Sequence, residues 1–214
     1  MRNKSYFISD LHMFSRRSEA EQHVEAILAT AGTAHTFVLG GDIFDFRWTR
    51  LDSVENTIEA AVSWLDELVT PHPECEFHYV LGNHDCNREF VKELAKLADR
   101  TPNLTWHHYW VRLGRSLFLH GDVADRPMDQ PTLSRIRSRG HEDRKRGEIS
   151  NMAYDVAVNA GLHKLASRVV NRERRVTRHI HSYLDDIGQN AENGIRNVYF
   201  GHTHTPLSDF RHEG

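Results

Sequence analysis

Phe37-Val38-Leu39-Gly40-Gly41-Asp42-Ile43-Phe44-Asp45 carries an apolar run straight into two glycines and then a carboxylate. Runs of β-branched and aromatic residues that stop at glycine read as buried strands, so Asp42 should stand just past the carboxyl end of one. The arrangement recurs along the chain. Tyr6-Phe7-Ile8 precedes Asp10-Leu11-His12, and Tyr79-Val80-Leu81 precedes Gly82-Asn83-His84-Asp85. Leu117-Phe118-Leu119 precedes His120-Gly121-Asp122, and Val198-Tyr199-Phe200 precedes Gly201-His202-Thr203-His204. Ligands of α/β sheets collect outside the carboxyl ends of the strands. One sheet edge therefore gathers Asp10, His12, Asp42, Asn83, His120, His202 and His204. Two carboxylates, one amide and four imidazoles are enough for two metal ions.

The segments between these motifs alternate in type. Ser5 to Ser9, Thr36 to Leu39 and Phe77 to Leu81 read as strands. Helices are expected near Arg17 to Ala31, Leu51 to Val69 and Phe90 to Ala98, where apolar residues such as Ile58, Ala61, Leu65 and Leu68 recur at helical spacing. Three β-α units imply a layered α/β sheet. After Pro102 the pattern changes: Leu104 to Leu113 and then Ser116 to Leu119, across Gly114-Arg115, look like a β-hairpin. Arg126 to Asp186 reads as helical, and Arg196 to Phe200 returns to strand. The expected architecture is α/β, a two-layer β-sandwich flanked by helices. It forms one domain over residues 1–214, with residues 126–190 as an inserted helical lid or cap. Within the insertion, Leu162, Leu165, Val169, Val176, Ile180, Tyr183, Leu184 and Ile187 form an apolar stripe opposite an arginine-rich face. Ser134 to Gly147, with six Arg or Lys, reads as a mobile lid or exposed loop.

At 214 residues the chain can bury a substantial core. No apolar stretch approaches the ~20 residues that span a bilayer, and Met1-Arg2-Asn3-Lys4 leads directly into a strand with no apolar signal segment. Two cysteines, Cys75 and Cys86, give no disulfide framework. A cytoplasmic protein is expected, with attachment to the periphery of the inner membrane as an alternative. The net charge of −3 hides an asymmetry: Arg126 to Arg178 holds 13 Lys/Arg against 6 Asp/Glu, a local +7. Such a block is either a solvated helix face or an attraction for an anionic substrate or acidic lipid surface.

A shell of carboxylate, imidazole and amide suits Mn, Fe or Zn better than Ca or a soft metal. Asp42, with two carboxylate oxygens, can bridge a pair of ions. Any one of the motifs alone is weak, but five in order, each after a strand, specify a metal centre. The set resembles the calcineurin-like metallophosphoesterases over most of the chain. Gly41-Asp42-Ile43-Phe44-Asp45-Phe46, His120-Gly121-Asp122 and Gly201-His202-Thr203-His204-Thr205-Pro206 are similar to the UDP-2,3-diacylglucosamine pyrophosphatase group, as is the long helical insertion. That group carries Arg where this chain has His84; general phosphoesterases of the superfamily carry His.

The resemblance implies one metal held by Asp10, His12, Asp42 and His204 and a second held by Asp42, Asn83, His120 and His202. It places His84 beside the leaving-group oxygen, with Asp45 orienting it. Asp85 and Asp122 would stand behind the ligands and fix neighbouring imidazoles. The implied activity is hydrolysis of a phosphoester or pyrophosphate by a metal-bound hydroxide, with two divalent ions, Mn first and Fe or Zn as alternatives. UDP-2,3-diacylglucosamine pyrophosphatase activity is the narrower alternative. The partner is an anionic, phosphate-containing substrate, recognised in part by Arg172, Arg174 and Arg175. Peripheral contact with an acidic membrane is an alternative, no transmembrane segment is expected, and nucleic acid is not an expected partner. A non-catalytic partner-binding module on the same fold is the reading from another class.

Overall fold

The computed structural model describes residues 4–140 and 173–203. Strands β1 (Lys4–Ile8), β2 (Ala34–Leu39), β3 (Glu76–Val80) and β4 (Leu104–His107) form a parallel sheet in the order β1-β2-β3-β4. Helices α1 (Val24–Ala31), α2 (Val54–Val69) and α3 (Arg88–Arg100) connect them. Right-handed crossovers between strands in sequential order put every connecting helix on the same face. That face is where Phe37, Leu39, Phe77 and Tyr79 meet Ile27, Leu65, Leu68, Phe90 and Leu94 in one buried cluster.

The other face is left for a second sheet. Strands β5 (Trp110–Leu113), β6 (Ser116–Leu119) and β7 (Asn197–Phe200) pair in that order, β5 antiparallel to β6 and β6 parallel to β7. Side chains alternate across a strand, so Val38, Val80, Val111 and Phe118 fill the space between the sheets. Leu117 and Leu119 point outward to Leu133, Val176, Ile180, Tyr183 and Leu184. These last residues lie on α4 (Gln130–Arg137) and α5 (Glu173–Asp186). Two β layers are thus enclosed by helices on both sides, as expected for an α/β sandwich.

Three expectations are corrected. Leu104 to Leu113 is not one arm of a hairpin. Leu104–His107 closes the first sheet against β3, the chain crosses at His108 and Tyr109, and only Trp110–Leu113 pairs with β6. The helix expected from Arg17 starts late, after a 3-10 turn at Ala20–His23. Residues before it are tied to the loop after β2 instead, through Met13 N–H to Ile43 O (2.8 Å) and Arg50 N–H to Phe14 O (2.7 Å). Finally, Ser134 to Arg137 is not lid or loop. It completes α4, capped by Asp129, which accepts from Thr132 N (2.9 Å), and it buries Leu133 and Arg137. Leu162, Leu165, Val169 and residues 141–147 lie outside the described residues; of the remaining stripe, Val176, Ile180, Tyr183 and Leu184 are buried. Among the described residues no helix is long and apolar enough to cross a membrane.

Candidate metal centre

The loops after β1, β2, β3, β6 and β7 meet at one edge, and their backbone is strained there. Five non-glycine residues have positive φ among the described residues, and four are Asp10 (55°), His12 (45°), Asp42 (52°) and His202 (67°). Such conformations are costly for residues with a Cβ and gather where surrounding structure enforces them for function. The enforcing bonds are visible: Asp10 N–H to Gly41 O (3.0 Å), His12 N–H to Asp42 O (2.9 Å) and Gly201 N–H to His120 O (2.8 Å). Glycine is required at two points. Gly41 has φ 87°, and a Cβ there would lie 2.7 Å from His120 Nδ1. A side chain at Gly82 would overlap Asp42 itself.

Two groups of donors result. His12, Asp42 and His84 each offer a ligand atom within 4.8 Å of the others, and so do Asp42, His120 and His202. Asp42 belongs to both. Its Oδ1 accepts from His84 N–H (2.8 Å), while Oδ2 lies 3.2 Å from His120 Nε2 and 3.8 Å from His12 Nε2. One oxygen, rather than the two expected, therefore faces both groups.

Hydrogen bonding shows which ring nitrogens face away from the site and carry a proton there. His120 Nδ1 faces the Gly40 carbonyl at 3.2 Å, which can only accept, so Nδ1 carries a proton. His202 Nε2 faces Asp125 Oδ1 at 3.0 Å and carries one for the same reason. That leaves His120 Nε2 surrounded by Asp42 Oδ2, Asn83 Oδ1 and His202 Nδ1, each 3.2 Å away and each an acceptor. A proton on His120 Nε2 can satisfy one of these acceptors, whereas a divalent cation among the four atoms would satisfy them all. The spacing suits neighbouring donors of one ion held at roughly 2.0–2.2 Å, and the mixed N and O set suits Mn, Fe or Zn. The residues fit a metal.

Electrostatics follow from the same packing. Burial pushes the Asp42 carboxyl up, but the rings of His120, His84 and His12 outweigh it and hold Asp42 well below the ordinary carboxylate range. Burial opposes charge on His120, yet Asp42, Asp122 and Asp10 lift its pKa to about 10. His84 is likewise opposed by burial but lifted to about 9 by its bond to Asp45 and the charges of Asp42 and Asp45. The Asp45 contact is direct: Oδ2 lies 3.2 Å from His84 Nδ1 and 3.5 Å from His12 Nδ1.

Asp10, Asp85 and Asp122 sit differently. Both Asp10 oxygens accept from His202 N–H at 2.9 Å, and Asp10 is in neither donor group. Asp85 braces backbone rather than an imidazole, accepting from Ile43 N (3.0 Å), Gly82 N and Tyr79 Oη (2.8 Å). Burial and nearby Asp42 raise its pKa to about 6. Asp122 is held by Arg137, with Nε and an Nη at 2.9 and 2.8 Å. Arg137 also donates to Leu81 O (2.8 Å) and His108 O. Arg174 and Arg175 are exposed on α5; Arg175 reaches Asp125 O at 3.5 Å. His204 and Arg172 lie outside the described residues.

Sequence reasoning missed Asp125, Arg137 and Tyr79. Asp125 follows the His120 motif with no periodic signal, Arg137 lies in a polar basic segment, and Tyr79 lies in an apolar strand run, so none of them stands out locally.

The family model for calcineurin-like phosphoesterases matches residues 4–206. Among curated proteins none matches the chain significantly. Among solved structures, the nuclease MPE of Pseudomonas putida is similar at 18% identity, over 58% of this chain and 56% of that one, with a TM-score of 0.37. The chain thus spans just over half the length of that structure.

Proposed function

The chain belongs to the calcineurin-like phosphoesterase family, and from that premise we propose that it hydrolyses a phosphoester or pyrophosphate bond with two divalent metal ions. The observation that most supports this reading is the meeting of Asp42 Oδ2, Asn83 Oδ1 and His202 Nδ1 around His120 Nε2, each at 3.2 Å. Asn83, His120 and His202 would hold one ion, and Asp10, His12 and His204 the other, with Asp42 shared. When bound, the ions supply a water of lowered pKa and a clamp on the oxygens of an in-line displacement.

The chain's own residues do the rest. Asp45 holds His84 Nδ1, which turns the opposite ring nitrogen toward the departing oxygen as a hydrogen-bond or proton donor. Asp125 holds His202 Nε2 and so presents Nδ1 to the site. Residues 126–190 are taken as an insertion beside the centre, with Arg172, Arg174 and Arg175 recognising the anionic substrate. Mn is the first metal to test. Hydrolysis of UDP-2,3-diacylglucosamine is the narrower reading and rests on motif resemblance; His84, where that group carries Arg, places simple phosphoesters first.

The test is a Mn²⁺-supplemented screen of p-nitrophenyl phosphate, bis(p-nitrophenyl) phosphate, UDP-sugars, cyclic nucleotides and single-stranded DNA, with Asp42→Asn as control. Turnover of at least one substrate that Asp42→Asn abolishes is expected. Turnover unaffected by Asp42→Asn, or none by the parent, overturns the proposal.

A further inference from the structure

Beside the metal centre lies a cavity of about 740 Å³, within the usual ~300–1,000 Å³ of ligand sites. Its floor is Leu81, Cys86 and Arg137. Cys86 Sγ–H donates to Arg137 O (3.2 Å) and Asn83 O (3.4 Å). Leu81 and Cys86 bracket the turn that carries Asn83 and His84, so the cavity shares that turn with the centre.

The floor is electrically spent. Arg137 gives its donors to Asp122, Leu81 O and His108 O. The rim is not. Arg88 and Lys92, one helical turn apart on α3, and Arg139, just past α4, line the cavity from different elements. Lys92 is paired with Glu89 at 2.8 Å, whereas neither Arg88 nor Arg139 has an ion-pair partner among the described residues. Two arginines lining one hollow without an ion-pair partner repel each other and favour an anion between them. Guanidinium matches the oxygens of phosphate with paired, charge-assisted hydrogen bonds.

We propose that this cavity is a second phosphoanion subsite, which holds a non-reacting phosphate of the substrate while the reacting phosphate lies at Asn83 and His84. The inference rests on the phosphoesterase reading and narrows it, since it favours substrates with two separated phosphates over simple monoesters.

Two p-nitrophenyl phosphodiesters test it, identical except that one carries a terminal phosphate on a three-carbon chain. In the parent, kcat/KM should favour the tailed diester about tenfold, equivalent to about 1.4 kcal/mol. In Arg88→Gln/Arg139→Gln the ratio should fall to about one, and Arg88→Lys/Arg139→Lys should keep most of it. A ratio unchanged in the Gln variant overturns the subsite. If the parent cleaves neither diester, the phosphoesterase reading still stands or falls on the wider substrate panel, and calorimetric titration of the tailed diester decides the subsite. Tenfold weaker binding to the Gln variant upholds the subsite, and equal affinities overturn it. Inorganic phosphate bound as tightly as the tailed diester, and lost in the same variant, assigns the cavity to free phosphate and removes it from substrate recognition.

Discussion

Arg137→Met is the most exposing single change for the packing behind the metal centre. Arg137 and Asp122 are 4% and 6% exposed, and two hydrogen bonds of 2.9 and 2.8 Å join them. Burial works against both charges, but each holds the other ionised: Asp122 lies below the usual carboxylate range and Arg137 above its own. Methionine fills much of the arginine's volume, so the cost is electrostatic. It leaves a buried carboxylate unpaired, about 3–5 kcal/mol, and strips a donor from the Leu81 and His108 carbonyls. Against a total stability of roughly 5–15 kcal/mol, that loss should be plain. At about 2–4 °C per kcal/mol for a chain of this size, the midpoint should fall by roughly 6–20 °C. Asp122→Leu/Arg137→Met removes both charges and should recover the ion-pair share, but not the share belonging to the two carbonyls. Urea unfolding followed by circular dichroism, in excess chelator so that metal does not add stability to the folded state, measures all four corners of the cycle. A single-variant loss under about 1 kcal/mol, or losses that simply add, would refute the reasoning.

Three further outcomes follow from named contacts. Asp125→Ala should weaken Mn²⁺ binding about 10–100-fold by calorimetry, because His202 loses the carboxylate that fixes its protonated nitrogen; unchanged affinity would remove Asp125 from that role. His84→Ala should slow turnover about 10²–10⁴-fold with metal content preserved, and most for poor leaving groups; an equal loss across leaving groups would count against a donor role. His107 and His78 form a pair on β4 and β3, sharing Thr105 Oγ1 at 3.4 and 2.7 Å with Glu76 nearby. Burial, then His78, pushes His107 down to about 4, and burial lowers His78 despite Glu76. The unfolded chain therefore binds more protons than the folded one between pH 6.5 and 4. Stability is full above that window and declines as pH falls through it. Solvent screening at this half-exposed pair limits the loss to about 1 kcal/mol. His107→Gln should flatten the slope in urea titrations at pH 7 and 5.

The strands were legible because each apolar run ends at a chemically distinctive loop, and because Phe37, Val38 and Leu39 alternate between two buried faces as the pleat demands. The helices were legible from spacing, as with Phe90, Leu94 and Leu97 on α3, capped by Asn87. What the pattern hid were choices between partners. Nothing local to Leu104–Leu113 says that the chain changes sheets at His108, because both halves are equally strand-like and the decision lies in pairing with β3 and β6. The grouping of Asp42 with His120 and His202 is what the family resemblance of the motifs implies; residue type and order alone pool all seven ligands. The carboxylate behind His202 was not legible, since Asp125 earns its position only when the β6 and β7 loops are brought together. Arg137 is buried against the local grain of a basic segment, and only its pairing with Asp122, which no local pattern announces, accounts for it.

Metal stoichiometry tests the central claim most directly. The protein should be saturated with Mn²⁺, desalted and measured by elemental analysis, with electron paramagnetic resonance on the same sample. The shared Asp42 Oδ2, facing both donor groups, predicts two Mn per chain with the signal of a coupled pair, and loss of that signal in Asp42→Asn. At most one Mn per chain, or two with uncoupled signals that Asp42→Asn leaves intact, would contradict it.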